Sequence, residues 1–284
     1  MVTLPPAPPG APEPPGPRLA HEARQLAESF GQDPGRYDRA RPRYPSALVD
    51  RIVAAMPGTE LLDVGIGTGI AASQFAAAGC RVRGVDPDAR MAELARRRGF
   101  AVDVARFEDW EGPPCLFDGV VAAQAWHWVE PAAGAARAAA ALRDGAPLAV
   151  FWNASALPDE LRETVAEVYR RVLPDARFAA GVLAGLGAYE RRLAAATAGV
   201  AATGSFGEVE RWRFDWDQPY TGAQWLEQVP TFGGHQLLPP GVLDELLAGL
   251  RRAIDAVGGA FTMRYASVCV VATRSARTSL GAER

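Results

Sequence analysis

Between an apolar run and the start of a helical pattern the chain reads Gly65-Ile66-Gly67-Thr68-Gly69. Glycines at a strand-to-helix turn open φ values closed to other residues and let the backbone approach a ligand with no side chain in the way. The preceding run, Glu60-Leu61-Leu62-Asp63-Val64, has the length and apolarity of a buried strand. A helix is expected from Ile70 to Ala78, with Gly79 ending it. A second strand from Arg81 to Val85 then runs into Asp86, twenty-one positions beyond Gly65. Doubly wound nucleoside sites place a ribose-binding acid about 20 residues after the first glycine. Strand, glycine turn, helix, strand and acid together restrict the fold more than anything else in the chain.

The alternation continues. Ser46 is expected to cap a helix through Leu48, Ile52 and Met56, stopped by Pro57-Gly58. Asp88 is expected to cap a helix carrying Met91 and Leu94 that ends at Gly99. Short strands fit residues 101–105, 117–123 and 148–152, with a helix over 132–142. Strands and helices alternating at this spacing predict βαβ units and a parallel sheet. After Asn153 the rhythm breaks: 158–198 and 221–257 read as mainly helical, 207–217 and 261–273 as strands. In 207–217, Trp212, Phe214 and Trp216 alternate with charged residues and are expected to form core beneath the helical insertion.

Composition narrows the function classes. The net charge is −3 and all 30 basic residues are arginine, with no basic stretch of the kind that neutralises nucleic-acid phosphates. Cys80, Cys115 and Cys269 are too scattered for a zinc site. No apolar run approaches the roughly 18 residues that span a bilayer, and the first residues lack the pattern of a signal peptide. A cytoplasmic protein is expected, acting on a small molecule rather than on nucleic acid or a membrane. Residues 1–18, rich in proline, read as an extended tail. Nothing in the sequence speaks to oligomeric state.

The dinucleotide fingerprint G-x-G-x-x-G would place its third glycine at position 70, which is Ile70; the third glycine comes one residue early. A dinucleotide loop presents a helix N-terminus to a pyrophosphate. S-adenosylmethionine has no phosphate but carries an ammonium, which Asp63 at the end of the first strand is placed to face. The pattern favours S-adenosylmethionine over a nicotinamide dinucleotide.

The segment Leu-Leu-Asp-Val-Gly-Ile-Gly-Thr-Gly, 61–69, resembles motif I of class I S-adenosylmethionine-dependent methyltransferases. Gly-Val-Asp-Pro-Asp-Ala-Arg-Met, 84–91, is similar to their second motif, and Ala-Arg-Phe-Glu-Asp-Trp, 105–110, to the segment after the third strand. Phe117 to Pro131 and Tyr37 to Pro45 resemble the fourth-strand segment and lead-in of the small-molecule type 11 branch. Leu-Arg-Asp-Gly-Ala-Pro-Leu, 142–148, departs from the usual Arg-Pro-Gly-Gly turn. The resemblance implies a Rossmann-like, doubly wound α/β fold: a mostly parallel seven-stranded sheet with an antiparallel last strand and a helical cap. It implies one methyltransferase domain over 19–275, with a cofactor-binding core at 37–155, an insertion at about 156–204, strands and helices at 205–275 and a tail at 276–284.

The cofactor-binding residues implied are Tyr37, Asp63, Gly65, Ile66, Gly67, Thr68, Gly69, Asp86, Pro87, Met91, Phe107, Glu108, Gln124, Ala125 and Trp126. Met91, Phe107 and Glu108 would meet the adenine, and Asp86 the ribose. No metal is implied. Ligands in open α/β sheets lie beyond the carboxyl ends of the strands, which puts Trp126, His127 and Trp128 in the cleft. His127 is the first candidate base, since its ordinary pKa of about 6.5 suits proton transfer near neutrality; His235 is the second, and His21 is set aside. A His127 that only packs beside the cofactor is the competing reading. An oxidoreductase using a nicotinamide cofactor and a non-catalytic S-adenosylmethionine-binding protein stay open beside methyl transfer.

Overall fold

The apolar runs on either side of the glycine turn form neighbouring strands of one seven-stranded sheet, seen in a computed structural model that describes residues 30–173 and 176–276. The Pro-rich segment 1–18, His21 and residues 277–284 lie outside these. In chain order the elements are α1 (Pro34–Ala40), α2 (Ser46–Ala54), β1 (Glu60–Val64), α3 (Ile70–Ala77), β2 (Arg81–Asp86), α4 (Ala89–Arg97), β3 (Ala101–Val104) and β4 (Gly119–Ala123). There follow α5 (Pro131–Ala141), β5 (Pro147–Ala156), α6 (Asp159–Val172), α7 (Ala176–Ala184), α8 (Glu190–Ala202), β6 (Phe206–Thr221), α9 (Gly222–Gln228), α10 (Pro240–Asp255) and β7 (Ala260–Arg274).

The strand order is β3-β2-β1-β4-β5-β7-β6. The first five strands pair in parallel, and β7 runs antiparallel to both β5 and β6. From β1 the chain winds outward to β3 and then returns to lay β4 on the other side of β1. That reversal leaves a crevice at the carboxyl ends of β1 and β4, where open α/β sheets hold their ligands. The parallel strands are covered on both faces, so β5 is buried almost throughout. On one face, Trp126, Trp152, Leu62 and Val150 pack with the alanines of α5 and with Leu193, Ala196 and Val200 of α8. On the other, Phe75 and Phe151 pack with Leu48 and Ile52 of α2.

Several local expectations are corrected. Ser46 does not cap α2: Pro45 takes the N-cap position with extended backbone and no side-chain bond, and its carbonyl receives the Leu48 N–H at 3.0 Å. Asp88 does cap α4, accepting the Arg90 N–H at 2.9 Å. Trp212 and Phe214 lie in the α2 cluster rather than beneath the insertion, with the Arg51 guanidinium 3.9 Å from the Trp212 ring centre. Nor do the helices of 158–198 act together. The helix α8 lies on the sheet beside α5, where Gly199 meets Pro131 so closely that a Cβ would come within 2.5 Å of its ring. Instead α6, with Ala179 of α7, joins α9 and α10 in a cluster built on Leu161, Val165, Trp225, Leu246 and Leu250. The strands β5, β6 and β7 run 10, 16 and 15 residues, longer than expected, because their antiparallel ladder continues past the parallel sheet and carries that cluster. Among the described residues no helix is long and apolar enough to cross a membrane.

Candidate functional site

Gly65, Gly67 and Gly69 adopt φ values of 69°, 57° and 88°, the left-handed region that L side chains avoid. The Gly65 and Ile66 N–H groups donate to the Val85 carbonyl at 2.8 and 3.2 Å, stitching the turn to the end of β2. A Cβ on Gly65 would stand 2.4 Å from the Ala125 Cβ, so the segments after β1 and β4 close on one another with no room for a side chain.

Two carboxylates flank this turn. Asp86 accepts the Gly67 N–H through Oδ2 and the Asp88 N–H through Oδ1, both at 2.8 Å. Each oxygen retains acceptor capacity for a further donor. Burial pushes its pKa up to about 6 against the pull of those two amides. Asp63 is 1% exposed, and neither of its oxygens has a hydrogen-bond partner. Burial first, and the Asp86 charge second, push its pKa up to about 8, while the Ala72 N–H, beyond hydrogen-bonding distance, pulls the other way. A buried carboxylate without a partner is costly and calls for a donor or a cation.

The lead-in is fastened over the turn. Asp38 on α1 accepts the Thr68 hydroxyl at 2.9 Å and pairs with Arg98, whose Nη1 donates to the Thr68 carbonyl at 3.0 Å. Beyond β4, Gln124 sits at φ 59°, an uncommon conformation for a non-glycine residue and one that gathers at binding sites. Its N–H donates to the Phe151 carbonyl at 2.9 Å and its Nε2 to the Asn153 carbonyl at 3.3 Å.

Beyond Gln124 a single 3-10 turn, Trp126–Trp128, divides its side chains. Trp126 is 1% exposed and packs into the core near Phe107, with ring centres 6.2 Å apart. His127 lines the cavity, and its Nδ1 receives the Trp152 Nε1–H at 3.2 Å. Indole nitrogen only donates, so Nδ1 is the acceptor and Nε2 bears the proton in the neutral ring. Burial, with Arg192 nearby, holds the His127 pKa well below the usual histidine value. His127 thus offers the cavity an N–H rather than a free lone pair.

These features open into a cavity of about 630 Å³. Of the residues expected at the site, Tyr37, Gly65, Ile66, Gly67, Thr68, Asp86, Pro87, Met91, Phe107, Glu108, Gln124, Ala125, His127 and His235 line it. Asp63, Gly69 and Trp126 do not: Asp63 stands behind the turn, Gly69 starts α3, and Trp126 is core. Glu108 is engaged by the Glu130 N–H at 2.9 Å and by Arg106.

The far wall was not foreseen. Ser155 and Leu157 at the end of β5, Tyr169 on α6, Arg192 on α8, Trp225 and Gln228 on α9, and Met263 and Tyr265 on β7 all line it, with Arg41 from the lead-in. Tyr169 and His235 share a hydrogen bond at 3.0 Å, and so do Tyr220 and Tyr265. Burial pushes the His235 pKa down to about 4, so its ring is neutral near pH 7. Four strand steps at about 4.8 Å each separate β2 from β7, setting the Met263 and Tyr265 backbone roughly 19 Å across the sheet from β2. Among the described residues no group of His, Cys, Asp and Glu is arranged to hold a metal ion.

Residues 62–150 match the family model described as a methyltransferase domain. An uncharacterized methyltransferase of Mycobacterium tuberculosis is 36% identical over 133 residues, which are 46% of this chain and 54% of that protein. The chain therefore spans about half the length of this curated relative. A ubiquinone biosynthesis O-methyltransferase of Methylocella silvestris is 34% identical over 93 residues, 31% of this chain and 36% of that protein. Among solved structures, a protein of Anaeromyxobacter dehalogenans assigned as a candidate type II methyltransferase is 24% identical and superposes with a TM-score of 0.59, covering 82% of this chain and 97% of that one. The likeness is one of fold: the Rossmann-like sheet of class I methyltransferases.

Proposed function

The chain carries a methyltransferase domain over residues 62–150 on a Rossmann-like class I sheet, and on that premise we propose that it transfers a methyl group from S-adenosylmethionine to a small molecule. The observation that carries this reading is the buried, partnerless Asp63 carboxylate at the end of β1, with Asp86 twenty-one positions beyond Gly65 on the other side of the glycine turn. An ammonium in the cavity would bring positive charge toward Asp63 behind the turn, and a ribose diol gives Asp86 donors for its remaining lone pairs. Met91, Phe107 and Ile66 supply an apolar bed for an adenine. The glycine turn brings backbone close to the ligand, with Gln124 and Ala125 facing it from β4.

S-adenosylmethionine supplies an activated methyl group, whose bonding pair leaves with sulfur. What remains for the protein is to hold the acceptor in line and keep water out; orientation of this kind supplies roughly 7–11 kcal/mol in favourable cases. The Asp38–Thr68–Arg98 contacts hold the lead-in across the turn, and the His127 Nε2–H gives the acceptor side a fixed donor.

Calorimetric titration with S-adenosylmethionine, S-adenosylhomocysteine and NAD tests the reading. Micromolar binding of the first two without NAD is expected; binding of NAD alone would overturn it in favour of hydride chemistry.

A further inference from the structure

The cations of the cavity lining are not all matched by acids. Arg41, beside Phe232, and Arg192, beside Tyr189, both line the cavity, and among the described residues neither forms an ion pair with a carboxylate. The acids in the cavity lining are Asp86, Asp88 and Glu108. All three belong to the glycine-turn end, and all are engaged: Asp86 by two backbone amides, Asp88 by Arg90, Glu108 by Arg106 and the Glu130 N–H. The third lining arginine, Arg106, is thereby paired as well.

Arg41 is held rather than loose. Its guanidinium carbon lies 5.0 Å from the Tyr37 ring centre and 5.3 Å from that of Phe232, its Nη2 donates to the Thr231 carbonyl, and its Nε is buried without a partner. Arg192 rests 4.8 Å from the Tyr189 ring centre and makes no hydrogen bond to a described residue. Guanidinium groups fixed on aromatic faces, with donors left over, are prearranged for a carboxylate. The neighbouring wall is mostly apolar and aromatic, with Leu157, Trp225, Met263 and Tyr265 beside the polar Ser155 and Gln228. The neighbouring titratable rings, Tyr169, His235 and Tyr265, are uncharged near neutrality, because burial raises both phenols and lowers the imidazole.

We propose that the Arg41 side of the cavity takes an organic acid: a molecule with a ring-sized apolar body and a carboxylate bound by Arg41, with Arg192 adding a second positive charge to the same cavity. The proposal names the substrate class for the methyl-transfer reading and rests on it for the role, though not for the binding.

Matched probes test it. Phenylacetate, phenylacetamide and phenethylamine share one body and differ in charge. Their binding is measured by calorimetry to the protein alone and to the protein saturated with S-adenosylhomocysteine. The acid is expected to bind at least tenfold tighter than the amide, with the amine weakest, and the margin should shrink as salt is raised. Arg41→Gln should remove most of the margin while changing amide affinity less than threefold, and Arg192→Gln should remove part of it. Arg41→Lys keeps the charge without the planar fork and should retain an intermediate margin, which separates loss of recognition from loss of folding. A panel in which the acid binds no tighter than the amide overturns the proposal, as does an Arg41→Gln protein that keeps the full margin. Failure of S-adenosylhomocysteine to bind, with the acid still preferred, would sink the methyl-transfer reading and leave the carboxylate site standing.

Discussion

The Trp152 indole donates to His127 Nδ1 across 3.2 Å, and this bond leads us to propose that His127 acts as a hydrogen-bond donor rather than as a base. A base needs a lone pair facing the proton it removes; here the lone pair is spent on Trp152 and the cavity receives an N–H. His127→Gln, which keeps a donor, should hold turnover within about tenfold of wild type, and His127→Ala should lose about 10²-fold. The pH–rate profile should have no limb that vanishes in His127→Gln. A limb near pH 6.5 that disappears in that variant would restore His127 as the base.

Proton linkage at the glycine turn has a definite sign. Asp63 and Asp86 have folded-state pKa values raised to about 8 and about 6. Folding then takes up protons, and their contribution to stability is present at low pH and lost as pH rises through those values. The ligand-free protein should lose stability from these two groups between about pH 4 and 8. A ligand ammonium favours the ionised carboxylates, so S-adenosylhomocysteine affinity should rise over the same interval. Thermal melts with and without the ligand at pH 5.5, 7 and 8.5 check both signs; a ligand-induced shift that shrinks with pH would contradict them. In Asp63→Asn the gain through pH 8 should be lost.

Asp86 has two tasks, so its substitutions should separate. It anchors the Gly67 and Asp88 amides and is read as the ribose acceptor. Asp86→Ala gives up charge-assisted hydrogen bonds of about 1.5–3 kcal/mol and should weaken S-adenosylhomocysteine binding about 10- to 150-fold. Asp86→Asn keeps one acceptor and should lose less. Unchanged calorimetric affinity in a folded Asp86→Ala protein would remove Asp86 from the site.

Gly65→Ala combines a positive φ with a steric clash, since the new Cβ would lie 2.4 Å from that of Ala125. Backbone strain of this kind costs about 1–3 kcal/mol, and the displaced β4 segment should abolish detectable cosubstrate binding. Gly79→Ala, at φ 93° with nothing within 4 Å, incurs strain alone. Urea melts of the pair separate the two effects: equal losses would mean that the close approach to Ala125 is unimportant.

The parallel half of the fold was legible because its signals are local. The run before Gly65, the turn itself and Asp86 sit within a few tens of residues, and short buried strands announce themselves by apolarity. The count of seven strands and the antiparallel last strand followed from the resemblance, which the fold likeness at a TM-score of 0.59 matches. The far wall was illegible for the opposite reason. Arg41, Tyr169, Arg192 and Tyr265 come from four distant elements, and each on its own reads as a surface arginine or a packed tyrosine. The signal that could have found Arg41 was its place four residues after Tyr37 in the lead-in, a helical spacing that sets the cation against that ring. Ser46 misled because a proline carbonyl in extended backbone serves a helix start as well as a hydroxyl does. The bond from Trp152 to His127 was illegible because Trp152 stands on the next strand, where sequence spacing carries no information.

At its outer margin the sheet ends on β6, sixteen residues long and paired only to β7. A strand of that length at the border of a sheet is a template on which another chain can crystallise, the route by which β proteins form fibrils. Here Glu208, Glu210, Arg211, Arg213, Asp215 and Asp217 are all exposed along it, and Arg213 and Asp215 pair with one another at 2.8 Å. Any incoming strand would have to strip water from this row of ions before gaining a single ladder bond. The same alternation that hides Trp212 beneath α2 sets Arg211, Arg213, Asp215 and Asp217 on the opposite side of the strand, a charged flank against edge pairing.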